Sequence, residues 1–247
     1  MQRDAAQRSD HPAELREANS AALQLLRQEF SDGVESIELG ACQIVVQRGS
    51  VTDAATDAIV NAANETLEGG GGVDLAVHAA AGPGLLAECV AIEPTAVQRM
   101  GGALHVGELA RCPVGEVRVT GAHEIPHARW VLHTVAPLYG EGEAFRFDEL
   151  NRCYSECLRA AAANGARSIA FCALGTGFYG WPEVVAAGLA VRAVFKWAAE
   201  QDELQQQPTT SPPVASGLAK IVFTTWGEQQ HDVYTRVLAR EQRNWAV

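Results

Sequence analysis

Four consecutive glycines, Gly69 to Gly72, stand between an apolar strand-like run, DAIV at 57–60, and a helical pattern, VDLAVHAAAG at 73–82. A strand that passes through a Cβ-free turn into a helix brings backbone amides close to whatever lies beyond the strand end. The helix start adds the positive end of a dipole, so the loop suits an anion. Tight turning alone does not account for the run, because each glycine costs roughly 0.5 to 1 kcal/mol relative to alanine in regular structure. A second loop, GTGFYGWP at 175–182, is built the same way: it follows SIAFCAL and precedes a helix with Glu183 in its first turn. Pro182 suits the first helical position, where its missing N–H costs nothing.

Neither loop has a cation nearby. Between Gly49 and Met100 the only Lys or Arg is Arg99, and there is none from Ser168 to Val191. Amides and helix dipoles would therefore hold a diphosphate without a Walker-type lysine. Gly175, Gly177 and Gly180 match G-x-G-x-x-G literally. A dinucleotide fold also needs an acidic residue about 20 positions later at the end of a second strand. Glu200 instead lies in AAEQDELQQQ, the tail of a helix running into a linker, so the dehydrogenase reading fails its own context.

The net charge of -11 opposes a polynucleotide backbone, and only two lysines occur, Lys196 and Lys220; no direct nucleic-acid binding is expected. The N-terminal segment MQRDAAQRSDHPAEL has no apolar signal core, and no apolar run approaches the ~18 residues that span a bilayer. An intracellular protein, cytoplasmic or nuclear, is expected, with no membrane association. Six cysteines (Cys42, Cys89, Cys112, Cys153, Cys157, Cys172) form no C-x-x-C pair, which fits reduced thiols and no zinc site. Cys153 and Cys157, one helical turn apart, read as small buried hydrophobes. No metal and no cofactor are expected.

A length of 247 residues favours one α/β domain with extensions. Residues 13–30 read as a helix ending at Ser31-Asp32-Gly33, so 1–36 is expected to be an N-terminal helical extension and 37–247 the main domain. Strand-like runs follow: IELGACQIVVQRG, DAIV, VRVT, WVLHTVA, SIAFCAL and AKIVFTTW. Helical patterns at 73–81, 84–92, 145–164, 183–201 and 230–243 alternate with them, which predicts a sheet covered by helices on both faces. The polar, Pro-rich stretch 203–217 reads as a flexible surface insertion.

This order of segments resembles the macrodomain family, in particular its MacroD-type branch of ADP-ribosyl hydrolases, over roughly residues 38–240. The carriers are GSVT at 49–52, DAIVNAANETLEGGGGVDLAVHAAAGPGL at 57–85, CPVGE at 112–116, VLHTVAP at 131–137 and GTGFYGWP at 175–182. The resemblance implies a three-layer α/β/α sandwich around a central mixed sheet, with ADP-ribose across the strand ends. It implies that the tetraglycine loop wraps the distal ribose and the second loop cradles the pyrophosphate. The ligand would be lined by Ser50, Val51, Ala62, Asn64, Gly70, Gly71, Gly72, Val73, Asp74, Pro137, Gly175, Thr176, Gly177, Phe178, Tyr179 and Trp226. Of these, Asp74 would act on the nucleophilic water, Asn64 would hold the distal ribose, Tyr179 or Phe178 would pack on that ribose, and Trp226 would lie against adenine. Those chemistries suit the residue types, since a carboxylate polarises water and an amide both donates and accepts.

Bland alternatives stand beside each role. Asn64 would equally serve as a turn cap, Asp74 as the acid favoured at a helix N-terminus, and Trp226 as core. His78 and His133 read as packed or hydrogen-bonded structural histidines rather than general bases. The chain also departs from the family pattern. Ser50 stands where an adenine-reading Asp is common, leaving Ser50, the Val51 backbone or Asp53 to substitute. Gly175 replaces a common Ser, and Leu75 and Ala79 replace a Gly and an Arg. The implied activity is hydrolysis of mono-ADP-ribose esters on acidic side chains of proteins and deacetylation of O-acetyl-ADP-ribose. A non-catalytic ADP-ribose reader and an ADP-ribose 1″-phosphate phosphatase are the rivals. ADP-ribose and mono-ADP-ribosylated proteins are the expected partners, and a monomer the expected state.

Overall fold

The computed structural model describes residues 13–97, 107–140, 146–206 and 217–245. Its elements run α1 (Ala13–Glu29), β1 (Ser36–Leu39), β2 (Cys42–Arg48), a one-turn 3-10 helix (Val51–Asp53), β3 (Ala58–Ala62), α2 (Val73–Ala81), α3 (Pro83–Val90), β4 (Thr95–Ala96), β5 (Leu109–Ala110), β6 (Val117–Gly121), β7 (Trp130–Thr134), α4 (Phe147–Ala163), β8 (Ser168–Phe171), α5 (Glu183–Gln206), β9 (Lys220–Thr225) and α6 (Glu228–Trp245). The strand-like run at 37–49 is a hairpin, turned at Gly40 with φ 57°. The β4–β5 pair carries too little periodicity to be read from sequence. The helix expected at 183–201 continues to Gln206, and the rest of the Pro-rich segment, 207–216, lies outside the described residues.

Strands β3, β7, β8 and β9 are buried almost without interruption, the mark of strands covered on both faces. They belong to a seven-stranded mixed sheet in the order β1-β2-β9-β8-β3-β7-β6. The pairs from β2 through β9, β8 and β3 to β7 are parallel, and the edges β1 and β6 are antiparallel to their neighbours. The connection from β3 to β7 moves one way along the sheet, while those from β7 to β8 and β8 to β9 move the other way. Right-handed crossovers therefore place α2 and α3 on one face and α4 and α5 on the opposite face. The helix contacts agree: α2 packs on α3, and α4, α5 and α6 pack side by side. The result is the three-layer α/β/α sandwich. Leu23 and Leu26 of α1, with Phe30 after it, join the same buried core as the sheet.

One consequence of the strand order locates the site. β3 and β8 are neighbours, but the chain leaves their carboxyl ends in opposite directions. Such a switch point opens a crevice at the strand ends, where α/β proteins bind ligands. The two glycine loops are the segments that leave β3 and β8.

Candidate active site

All the residues expected to line a ligand follow the carboxyl ends of the parallel strands or close β3. Ser50 and Val51 come after β2, Ala62 to Asp74 close and follow β3, Pro137 follows β7, Gly175 to Tyr179 follow β8, and Trp226 follows β9. The fold thus gathers onto one edge segments that are far apart in the chain.

In the first loop, Gly69 and Gly72 adopt φ values of 87° and 61°, conformations that side chains disfavour. At Gly70 the constraint is space rather than backbone conformation. A Cβ there would stand 3.1 Å from Asp74 Oδ2 and 3.4 Å from Asn64 Nδ2. Asp74 sits in the first turn of α2, only 3% exposed. Its Oδ1 accepts an N–H from Asn61 Nδ2 at 2.6 Å. His78 Nε2 approaches the same oxygen at 3.5 Å without making a hydrogen bond. Among the described residues, Asp74 Oδ2, Asn61 Oδ1 and His78 Nε2 are buried polar atoms with no partner, and all three belong to this cluster. Orphaned buried polar atoms are rare and costly, so three of them in one cluster make it the candidate position for a ligand or water. Burial raises the carboxyl pKa above its ordinary value, partly offset by the Asn61 hydrogen bond.

Asn64 is held more firmly than a ligand-seeking side chain needs. Its Oδ1 accepts from Thr66 N (3.2 Å), Thr66 Oγ1 (2.9 Å) and Leu67 N (3.0 Å), and its Nδ2 donates to Gly69 O at 2.8 Å. The turn-capping alternative is thus present in the structure, and one amide proton is left for anything further. Asn61, which sequence reasoning passed over, is the asparagine bonded to Asp74. A signal existed: an amide in the apolar strand AIVNA must find buried partners. It lies opposite His133 in the β3–β7 register, and His133 Nδ1 is 3.1 Å from Asn61 Nδ2.

The second loop is pinned by Trp181, which sequence reasoning also missed. Its indole N–H donates to Pro137 O at 2.8 Å, and its ring packs edge-on to Tyr139 and Phe147 at centroid distances of 5.1 Å and 5.7 Å. A Cβ on Gly175 would lie 2.7 Å from the Trp181 ring, and Gly175 has φ 80°, so the replacement of serine by glycine matches the large indole beneath it. Pro137 itself is buried, its carbonyl taken by that indole. Pro182 stands just before α5 rather than as its first residue, with its carbonyl accepting from Ala186 N at 2.9 Å. Among the described residues the exposed backbone amides of Gly71 and Gly72 in one loop, and Gly177 and Phe178 in the other, have no hydrogen-bond acceptor. Thr176 turns its hydroxyl back to Ala173 O at 2.9 Å.

Phe178 and Trp226 are each 81% exposed, so Trp226 is not core. Tyr179 is half-buried, and burial pushes its phenol up to about 12, keeping it a neutral donor. The Ser50 hydroxyl lies 2.7 Å from Thr52 Oγ1 and accepts from Thr52 N, capping the 3-10 turn. Burial lowers His133 to about 3, which keeps the ring neutral. Cys153 and Cys157 are buried on α4, facing the core.

Comparison with known proteins agrees with this fold. The family model described as Macro domain matches residues 60–190. A protein of Klebsiella pneumoniae named O-acetyl-ADP-ribose deacetylase is 38% identical over 199 residues, covering 81% of this chain and 98% of its own. A solved Oceanobacillus iheyensis macrodomain with ADP superposes with a TM-score of 0.69 at 27% identity, covering 85% of this chain and 96% of its own. A Trypanosoma brucei macrodomain in complex with ADP-ribose gives 0.62 at 30% identity, covering 93% and 92%.

Proposed function

This chain belongs to the Macro domain family, and on that premise we propose that it binds ADP-ribose across the ends of β3 and β8 and hydrolyses its esters. The substrates would be O-acetyl-ADP-ribose and mono-ADP-ribose carried on Asp or Glu side chains of proteins. The solved relatives named above hold ADP and ADP-ribose, and the Klebsiella relative is named for the deacetylation. The observation that carries the reading is Asp74: its Oδ1 is tied by Asn61, and its Oδ2 is buried, unpartnered and uncovered by any side chain at Gly70.

In this reading the free amides of the two loops hold the pyrophosphate and the distal ribose, with helix dipoles in place of cations. Asp74 Oδ2 holds a water against the ester carbonyl. The water oxygen bonds to the carbonyl carbon, Asp74 takes its proton, and the carbon–oxygen bond to the ribose breaks. The proton then passes to the departing ribose oxygen, leaving a free carboxylic acid and ADP-ribose. Asn64 keeps the loop closed and offers its remaining N–H to the ribose. Tyr179 donates from the second loop, and Trp226 offers an exposed face to adenine. Positioning of this kind supplies several kcal/mol of the barrier when the water sits at attack distance.

Calorimetry with ADP-ribose, together with turnover of O-acetyl-ADP-ribose and of an acceptor modified on Glu, tests the proposal. The wild type should bind and turn over both, and Asp74→Asn should bind while losing at least about 100-fold in kcat. A wild type that binds ADP-ribose and releases neither acetate nor ADP-ribose would be a reader and not an enzyme. Release of phosphate alone, from ADP-ribose 1″-phosphate, would make it the phosphatase.

A further inference from the structure

His133 takes no part in the reaction just described, yet it is completely buried in β7, opposite Asn61. Both ring nitrogens have neighbours. Nδ1 lies 3.1 Å from Asn61 Nδ2, and Nε2 lies 2.9 Å from Thr120 Oγ1, with the Cys89 thiol a weaker contact at 3.7 Å. Asn61 Nδ2 only donates, so the ring nitrogen beside it, Nδ1, is the acceptor, and the neutral ring carries its proton on Nε2. Thr120 Oγ1 accepts that proton and keeps its own for Gly121 O at 3.2 Å. The amide nitrogen of Asn61 has two protons. One goes to His133 and the other to Asp74 Oδ1, at 2.6 Å.

We infer that His133 is a positioning residue for Asp74: it fixes the amide plane of Asn61, which holds one carboxylate oxygen and leaves the other turned toward the water. The inference rests on the hydrolytic reading of Asp74. Burial keeps the imidazole neutral, and so keeps Nδ1 an acceptor at working pH. A protonated ring would set N–H against N–H, turn the amide over and place Asn61 Oδ1 against the carboxylate. Among the described residues, the other titratable groups that interact electrostatically with Asp74 are His78 on α2, Cys89 on α3, Cys172 after β8 and Tyr179 in the second loop. None of them is altered in the variants below.

The test begins with the full-length wild type at neutral pH, where long-range 15N–1H NMR of His133 should show the proton on Nε2. A proton on Nδ1, or an imidazolium, overturns the inference. His133→Leu then removes the acceptor, and His133→Asn places an amide oxygen near the position of Nδ1. The carboxyl titration of Asp74, followed by 13C NMR, should move upward in His133→Leu and return toward wild type in His133→Asn. In parallel, kcat for O-acetyl-ADP-ribose should fall about tenfold in the leucine variant at unchanged KM, the net worth of one hydrogen bond, and recover in the asparagine variant. An Asp74 titration equal in wild type and leucine variant sinks the inference. A wild type without turnover removes the hydrolytic reading alone, because the Asp74 titration still decides what His133 does.

Discussion

Single atoms decide what the first loop does. Gly70 is exposed, yet a methyl on it would enter the space that Asp74 Oδ2 faces. Gly70→Ala should therefore lower turnover about tenfold or more by crowding the attacking water, while changing the unfolding free energy by less than about 1 kcal/mol. Steady-state kinetics beside a denaturant titration checks it, and an unaffected kcat would mean that the water lies elsewhere. Trp226 poses the complementary case, because an indole this exposed contributes little to folding. Trp226→Ala should leave stability within about 0.5 kcal/mol of wild type. If the ring stacks on adenine, ADP-ribose affinity should fall about fivefold to a hundredfold, the range of one lost base stack. Calorimetry showing equal affinities would remove adenine from Trp226.

Between elements, Trp181 ties the carboxyl end of β7 to the loop after β8 through Pro137 and Gly175. The glycine at 175 and the indole at 181 are one device, since a side chain at the first would displace the second. Trp181→Phe keeps an aromatic ring but leaves Pro137 O without its donor and opens a small void. The expected loss is about 2 kcal/mol of stability and, on the proposed role of the second loop in holding the pyrophosphate, ADP-ribose binding weakened more than kcat. Thermal melts and calorimetry on the same preparation measure both. A normal affinity with lowered stability would confine Trp181 to packing.

Across the whole molecule, the buried His133 links stability to pH. Its folded pKa, about 3, lies below the unfolded value of 6.5. A depressed histidine contributes stability that is complete above the unfolded value and is lost as pH falls toward the folded one. Between pH 6.5 and about 3 the loss is about 1.4 kcal/mol for each pH unit. Asp74, raised by burial, acts in the opposite sense: its contribution is present at low pH and lost as pH rises through its folded value. The His133 contribution from pH 7 to 5 should therefore fall by on the order of 2 kcal/mol, and the unfolding titration of His133→Asn should lack that part of the wild-type slope. An unchanged slope in the variant would assign the pH dependence to other groups.

Much of this arrangement is legible in the residues themselves. The alternation of apolar runs and helical patterns, with Gly69–Gly72 and Gly175–Gly180 at two strand ends, specifies a layered α/β domain with two cation-free glycine loops, because local periodicity and glycine placement are chain-local properties. The capping alternative for Asn64 was legible for the same reason, since all its bonds fall within five residues. What the chain order conceals is pairing at long range. Asn61 meets His133, 72 positions away, only through the parallel register of β3 and β7, and Trp181 meets Pro137, 44 positions away, only through the strand order. Those two pairings set which oxygen of Asp74 is tied and what shape the second loop takes. Local sequence thus determined two glycine loops with free backbone amides at neighbouring strand ends. The sheet's register, imposed by burying both faces of its central strands, decided how the carboxylate among them is aimed.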